Sequence, residues 1–179
     1  DAINRAKLSL LPEPEIQFLA ADSCQPHGAG EAALARIQKN CTTPAELRLR
    51  VGARVMLTRN SGKGELIEYV NGSMGTVTEV APYGMTVRLD RGGALLSVQK
   101  AKWTVEGRSE GRSETDILAS RTQYPLRLAW AITVHKSQGT SLDRVSVDLT
   151  RCFAPGQAYV TLSRARTLEG LNIEGWGGA

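Results

Sequence analysis

The chain has no apolar run of membrane-spanning length. Its opening, DAINRAKLSLLPEPE, is polar, starts without Met and reads as no secretory signal. An intracellular protein with no membrane partner is expected, cytoplasmic if bacterial and nuclear or mitochondrial if eukaryotic, and a fragment of a longer one. Cysteine is scarce. Cys24, Cys41 and Cys152 are odd in number and widely spaced, which fits neither a zinc motif nor a disulfide framework and points to reduced thiols in a reducing compartment. The two histidines, His27 and His135, have no carboxylates placed beside them by the sequence, so no metal site is expected. The chain also lacks the pattern G-x-x-x-x-G-K-[ST]: Gly62-Lys63-Gly64 has the wrong spacing, and Gly72/Gly75 has no following Lys. No apolar strand ends in paired acids that could hold Mg²⁺. A triphosphate cannot be cradled by this chain alone.

What is present is an ordinary globular composition, 41% apolar and 22% charged. Its 179 residues suffice for one substantial core, or a core with a small satellite domain. The net charge of +4 is unevenly spread. Residues 48–63 carry Arg48, Arg50, Arg54, Arg59 and Lys63 with no acid, and residues 127–166 carry six Lys/Arg against Asp143 and Asp148. The first 23 residues are net acidic. Such asymmetry fits a phosphate-rich partner on one face, and equally arginines scattered over a solvated surface.

Along the chain, DAINRAKLSLL reads as a helix that begins upstream of residue 1 and is closed by Pro12 and Pro14. IQFLA, residues 16–20, is a short strand, and Ser23–Gly30 a loop. Ala32, Leu34, Ala35 and Ile37 have helical spacing, with Glu31 in the first turn and Asn40 suited to a left-handed end. Leu47, Leu49, Val51, Val55 and Leu57 alternate with arginines as strands do. From Val70 the texture changes to short β runs split by Asn71-Gly72, Pro82-Tyr83-Gly84 and Asp90-Arg91-Gly92-Gly93. MGTVTEVA, MTVRLD, LLSVQKA and KWTVE suggest a small barrel over residues 72–123. Within it, EGRSEGRSETD repeats GRSE without one apolar residue and is expected to be a mobile loop. Beyond Tyr124, a helix is expected from Trp130 to Gln138 with Gly139 as its stop. RVSVDL reads as a buried strand of a parallel sheet, Pro155 and Gly156 open a helix, and LNIEGW is a last strand. Strands alternating with helices in the outer parts imply an α/β layer domain, residues 1–71 and 124–179, with a small β domain at 72–123.

Two stretches concentrate chemistry. In YPLRLAWAITVHKSQG, residues 124–139, an apolar run ends in Thr133, His135, Lys136, Ser137 and Gln138. Hydroxyl, imidazole and ammonium groups in one turn suit a nucleic-acid backbone, or are simply a polar helix end. In GQAYVTLSRARTLEG, residues 156–170, an apolar stripe carries Arg164 and Arg166 at a helix C-terminus, where the dipole alone would favour a cation. LAWAITVHKSQGTSLD resembles motif V, and AYVTLSRARTLEGL motif VI, of superfamily-one DNA helicases of the petite integration frequency (Pif) type. ELRLRVGARVMLTRN and YVNGSMGTV extend the resemblance, to about residues 44–80 and 124–175.

The resemblance implies a second RecA-like motor domain, a parallel-sheet α/β domain, interrupted at 72–123 by a small barrel like that of Src-homology-three domains. It implies ATP- and Mg²⁺-dependent unwinding of DNA in the full-length enzyme, moving five-prime to three-prime on single-stranded DNA, in genome maintenance such as repair, recombination or telomere upkeep. The partners implied are single-stranded DNA and a first RecA-like domain bearing the phosphate-binding loop, with neither ATP nor Mg²⁺ bound by this fragment alone. Carried over residue by residue, Arg164 would be the catalytic arginine finger. Gln138, Gly139, Ser141 and Arg164 would meet nucleotide, and Thr133, His135, Lys136 and Ser137 would meet DNA. Where the family has Leu-Thr after the glycine, Thr140-Ser141 stand here. From the residues themselves, Arg54, Asn60, Lys100 and Lys102, with Arg59, Lys63 and Trp103, could border a single-strand track, although Trp103 suits a barrel core as well. The rival readings are a fragment of a RecD-like or conjugative-relaxase helicase, and a stand-alone nucleic-acid-binding module.

Overall fold

The computed structural model describes residues 2–26, 28–61, 68–108, 115–150 and 156–175. Helix α1 (Ala2–Ser9) precedes strands β1 (Ile16–Leu19) and β2 (Ala21–Cys24) and helix α2 (Ala29–Asn40). Strands β3 (Glu46–Leu49), β4 (Arg54–Leu57), β5 (Met74–Ala81), β6 (Gly84–Leu89), β7 (Leu95–Val98), β8 (Ala101–Arg108), β9 (Thr115–Gln123) and β10 (Leu126–Leu128) follow. Then come a single 3₁₀ turn (His135–Ser137), strand β11 (Val145–Asp148), helix α3 (Gln157–Leu162) and strand β12 (Leu171–Gly175). The fold is mixed α/β. An antiparallel sheet ordered β10-β4-β5-β6-β7, a second ordered β2-β9-β8 and the antiparallel pair β1-β3 stand beside the parallel pair β11-β12.

Alternation explains the main core. Leu47 and Leu49 of β3, Val55 and Leu57 of β4, Val87 of β6 and Val98 of β7 point inward, and Leu8 of α1 and Phe18 of β1 close the same cluster. The arginines between these positions stay at the surface: Arg48 is 53% exposed and Arg54 32% exposed at its side chain. A second, smaller core lies where Ala33 and Ile37 of α2 meet Ala119 of β9, with Trp103, Val105 and Leu118 around them.

Several sequence expectations need correction. Ser23 and Cys24 are strand rather than loop because β2 finds a partner in β9, and Gly30 is already inside α2. Helix α2 ends at an extended Cys41 (φ −71°), not at a left-handed Asn40. Glu106–Arg108 belong to β8, not to a loop, since they pair with Ile117, Asp116 and Thr115. The remainder of the GRSE repeat lies outside the described residues. The boundaries at 71/72 and 123/124 run through hydrogen-bonded sheets: β4 and β10 share a sheet with β5 to β7, while β8 and β9 pair with β2. Local turn signals mark where strands begin and end, and not which neighbour they choose.

One ion pair fixes the β2-β9 edge. Arg121 Nε and Nη2 donate to the two carboxylate oxygens of Asp22, both at 2.7 Å, and Gln38 of α2 donates to the same carboxylate at 3.1 Å. The Arg121 hydrogen bonds hold the Asp22 carboxyl below its ordinary range, against the opposing effect of burial. A depressed folded value means that the pair stabilises the fold above the unfolded value of about 4, and that this stability is lost as pH falls through the folded value. The melting temperature should therefore drop below about pH 4, whereas Asp22→Asn should melt lower at neutral pH and vary less across that window. Superimposable melting-versus-pH curves for the two proteins would show that the pair contributes nothing.

Candidate nucleic-acid and nucleotide site

The helix expected over Trp130–Gln138 is absent apart from one turn, and the reason is tertiary. Asn4 of α1, buried at 4% exposure, clasps Ala131 from both sides: its Nδ2 donates to Ala131 O at 2.7 Å and its Oδ1 accepts Ala131 N–H at 2.9 Å. Ala129 N–H is taken by Arg54 O at 2.9 Å. With those backbone groups engaged elsewhere, and with β-branched Ile132, Thr133 and Val134 next in line, the chain curls only at His135–Ser137.

That turn is internally closed. Ser137 donates from N–H to Thr133 O and Val134 O (3.1 Å each) and from Oγ to Val134 O (2.8 Å). Thr140 donates from N–H (3.1 Å) and Oγ1 (2.7 Å) back to Ser137 O. Gly139 supplies the left-handed residue between them, φ 75°. Ser137 and Thr140 are consequently buried, at 4% and 3% exposure, with their hydroxyls committed. Thr133, Lys136, Gln138, Gly139 and Ser141 are exposed around the turn, and His135 lies within it.

The second polar stretch is joined to the first. Leu142 and Ala165 form a parallel bridge: Leu142 N–H donates to Arg164 O at 2.8 Å, and Arg166 N–H donates to Leu142 O at 3.0 Å. The Arg164 guanidinium donates from Nε to Val160 O (2.9 Å), from Nη1 to Thr140 O (3.3 Å) and from Nη2 to Ser163 Oγ (2.9 Å). A guanidinium has five N–H groups. Three of them are used among the described residues, which leaves one N–H on each Nη for an oxygen of a phosphate. Arg164 is half-buried. The expectation of an apolar stripe that carries the arginine is corrected: Tyr159 is 77% exposed and α3 has no buried residue. Backbone carbonyls, not an apolar stripe, aim the arginine. Arg166 turns to Asp143, 3.3 Å away.

The remaining candidates are dispersed. Arg54 pairs with Asp90 through both terminal nitrogens and reaches Thr76 at 3.4 Å, so it ties β4 to the end of β6. Asn60 Oδ1 accepts Asn71 N–H at 2.6 Å and closes the loop before β5. Lys100 lies over the Tyr124 ring at 5.5 Å. Lys102 is exposed, and its carbonyl accepts Arg59 Nη1 at 2.8 Å while the Arg59 guanidinium rests 5.7 Å from the Trp103 centroid. Arg59, Lys102 and Trp103 line a cavity of about 560 Å³ with Arg36 and Asn40 of α2. Lys63 lies outside the described residues. Sequence reasoning missed Asn4, which has no motif, and Gly72. Gly72 has φ 90°, and a Cβ there would sit 2.8 Å from the Thr140 side chain, so the Asn71-Gly72 turn lies directly against the Gln138–Ser141 loop.

Two polar stretches joined edge to edge in a mixed α/β fold are those of a superfamily-one helicase, and the comparisons agree. No family model matches the chain. The ATP-dependent DNA helicase Pif1 of Bdellovibrio bacteriovorus is 34% identical over 176 residues, 98% of this chain and 37% of that protein. The crystal structure of Bacteroides sp Pif1 in complex with ADP-AlF4 superposes with a TM-score of 0.77 at 33% identity, covering 98% of this chain and 37% of that one. The Bacteroides Pif1 helicase in complex with ADP-AlF3 and ssDNA does so with a TM-score of 0.67 at 33% identity, covering 97% and 37%. The chain belongs to the Pif1-type family, and it spans little more than a third of the length of these relatives.

Proposed function

We propose that this chain is the second motor domain of an ATP-dependent DNA helicase of the Pif1 type, which supplies an arginine finger, Arg164, and part of the track for single-stranded DNA. The observation that carries the reading is the bridge between Leu142 and Ala165, with Arg164 bonded to Thr140 O. It puts an arginine with two unused N–H groups beside the Gln138-Gly139 turn on one side of a single edge. A phosphoryl group undergoing transfer gains from such a preorganised cation, because charge builds on its oxygens. Gln138, Gly139 and Ser141 are assigned to the nucleotide, and Thr133, His135 and Lys136 to the DNA backbone. Ser137 acts by shaping the turn. The inserted barrel is assigned to about residues 72–123, with β5 to β7 sharing a sheet with β4 and β10, and the RecA-like part to the residues on either side.

ATP would be held chiefly by the first motor domain. The residues that hold Mg²⁺ are assigned to that first domain as well; among the described residues of this chain no three His, Cys, Asp or Glu cluster. Support for DNA and nucleotide as ligands comes from the Bacteroides protein in complex with ADP-AlF3 and ssDNA. An intracellular role in genome maintenance follows from the same reading.

Binding of single-stranded DNA by this chain should be weak and salt-dependent, since only part of the track is present. Lys136→Ala should weaken it uniformly across sequences and reduce the slope of log affinity against log salt by about one charge. A fluorescence-anisotropy salt series measures this. An unchanged slope returns Lys136 to an ordinary solvated lysine, and hydrolysis of ATP stimulated by DNA in the chain alone would sink the motor-half reading.

A further inference from the structure

A cavity of about 930 Å³ opens between α1, the approach to β3 and strand β10, with Lys136 of the polar turn on its wall. Five cations line it, Arg5, Arg48, Arg121, Arg127 and Lys136, against three acids, Glu15, Asp22 and Glu46. All three acids are committed. Asp22 holds Arg121, while Glu46 and Glu15 both hold Arg48. Arg5, Arg127 and Lys136 therefore reach the cavity without an acidic partner among the described residues.

Arg127 is the decisive one. Along β10, Leu126 turns to the main core, and the next residue, Arg127, 6% exposed, lines the cavity together with Leu128. Its Nε and Nη1 are buried and have no hydrogen-bond partner among the described residues. A guanidinium stays charged and cannot escape the penalty by releasing its proton. Buried donors of this kind are found with a counter-charge or a ligand. Burial alone pushes the Arg127 pKa down, with no acid nearby to oppose it.

We infer that this cavity receives a phosphate group of a nucleic-acid backbone, drawn to the Arg127 guanidinium and flanked by Lys136 and Arg5. The inference rests on the nucleic-acid reading of the Lys136 turn and adds a site inside the cavity rather than on the exposed turn. The planar edge of a guanidinium matches two oxygens of one phosphate, and three uncompensated cations exceed what a single carboxylate would need.

The test is thermal melting of the chain at fixed ionic strength, with sodium chloride replaced by inorganic phosphate or supplemented with a short oligothymidylate or with oligoglutamate. Phosphate and oligothymidylate should raise the melting temperature of the parent, and oligoglutamate should not. Arg127→Met keeps the aliphatic bulk. It should melt above the parent in chloride, lose the phosphate-dependent rise and bind oligothymidylate about tenfold more weakly or worse. Should Arg127→Met fail to fold, the rim pair Arg5→Gln with Lys136→Gln carries the test and should also lose most of the phosphate-dependent rise. An equal rise in either variant and the parent overturns the site. A rise with phosphate but none with oligothymidylate overturns the nucleic-acid source, as does an equal response to oligoglutamate. The phosphate arm reads the cavity independently of ATP hydrolysis, so its failure and a failure of the motor reading are distinguishable.

Discussion

In a complete helicase carrying this chain as its second motor domain, Arg164→Ala should reduce kcat for ATP hydrolysis by about 10³–10⁵ while leaving nucleotide affinity nearly unchanged. At about 1.4 kcal/mol per factor of ten this amounts to about 4–7 kcal/mol of lost transition-state stabilisation. The effect falls on kcat because the two unused N–H groups of Arg164 meet charge that exists only during transfer, and uniform binding would appear in KM instead. Arg164→Lys should fail as well. An ammonium is a compact charge that cannot hold Val160 O and Thr140 O and still present a two-pronged edge. Arg166→Ala is the control and should be mild, since its guanidinium is 43% exposed and occupied with Asp143. Steady-state kinetics together with melting curves decide it. Hydrolysis within tenfold of the parent, or a defect explained wholly by unfolding, removes Arg164 from the chemistry.

The largest stability effect is expected at Gln123, which is fully buried. Its Nε2 donates to Phe18 O (3.0 Å) and Ala45 O (3.3 Å), and its Oε1 accepts Tyr124 N–H (2.9 Å). One amide thus serves three backbone groups at the junction of β1, the approach to β3 and the end of β9. Gln123→Ala leaves Tyr124 N–H without a partner among the described residues, takes a donor from Phe18 O and from Ala45 O, which keeps Ala20 N–H, and opens a cavity. Together these should cost about 3 kcal/mol or more in urea titrations. Gln123→Leu restores volume without polarity and should recover little of the loss. A loss below about 1 kcal/mol in both variants would mean that water reaches the junction and replaces the amide.

Periodicity made the strands legible, and long-range polar pairs did not announce themselves. Alternation in Leu47–Leu57 and the turn pairs around β5 to β7 predict those strands closely, and RVSVDL pairs in parallel with Leu171–Gly175 as its texture implies. Strand β9 was passed over because TDILASRTQ alternates poorly, and its stability comes from partners on both sides, β2 and β8. The expected helix at Trp130–Gln138 failed on one buried amide 127 residues away in sequence, Asn4. At the site, the sequence drew attention to two polar stretches, which the structure places side by side. It could not tell Ser137 and Arg54, whose polar groups are spent within the fold, from Lys136 and Gln138, which stand outside it.

Thr140 faces two ways. Its carbonyl receives Arg164, while its side chain lies against Gly72 of the turn that leads into β5. A carbonyl is common to all twenty residue types, whereas the space left by a glycine with φ 90° is not. A substitution at 140 therefore keeps the carbonyl that registers the arginine, but its side chain must refit both the Gly72 turn and the bond to Ser137 O.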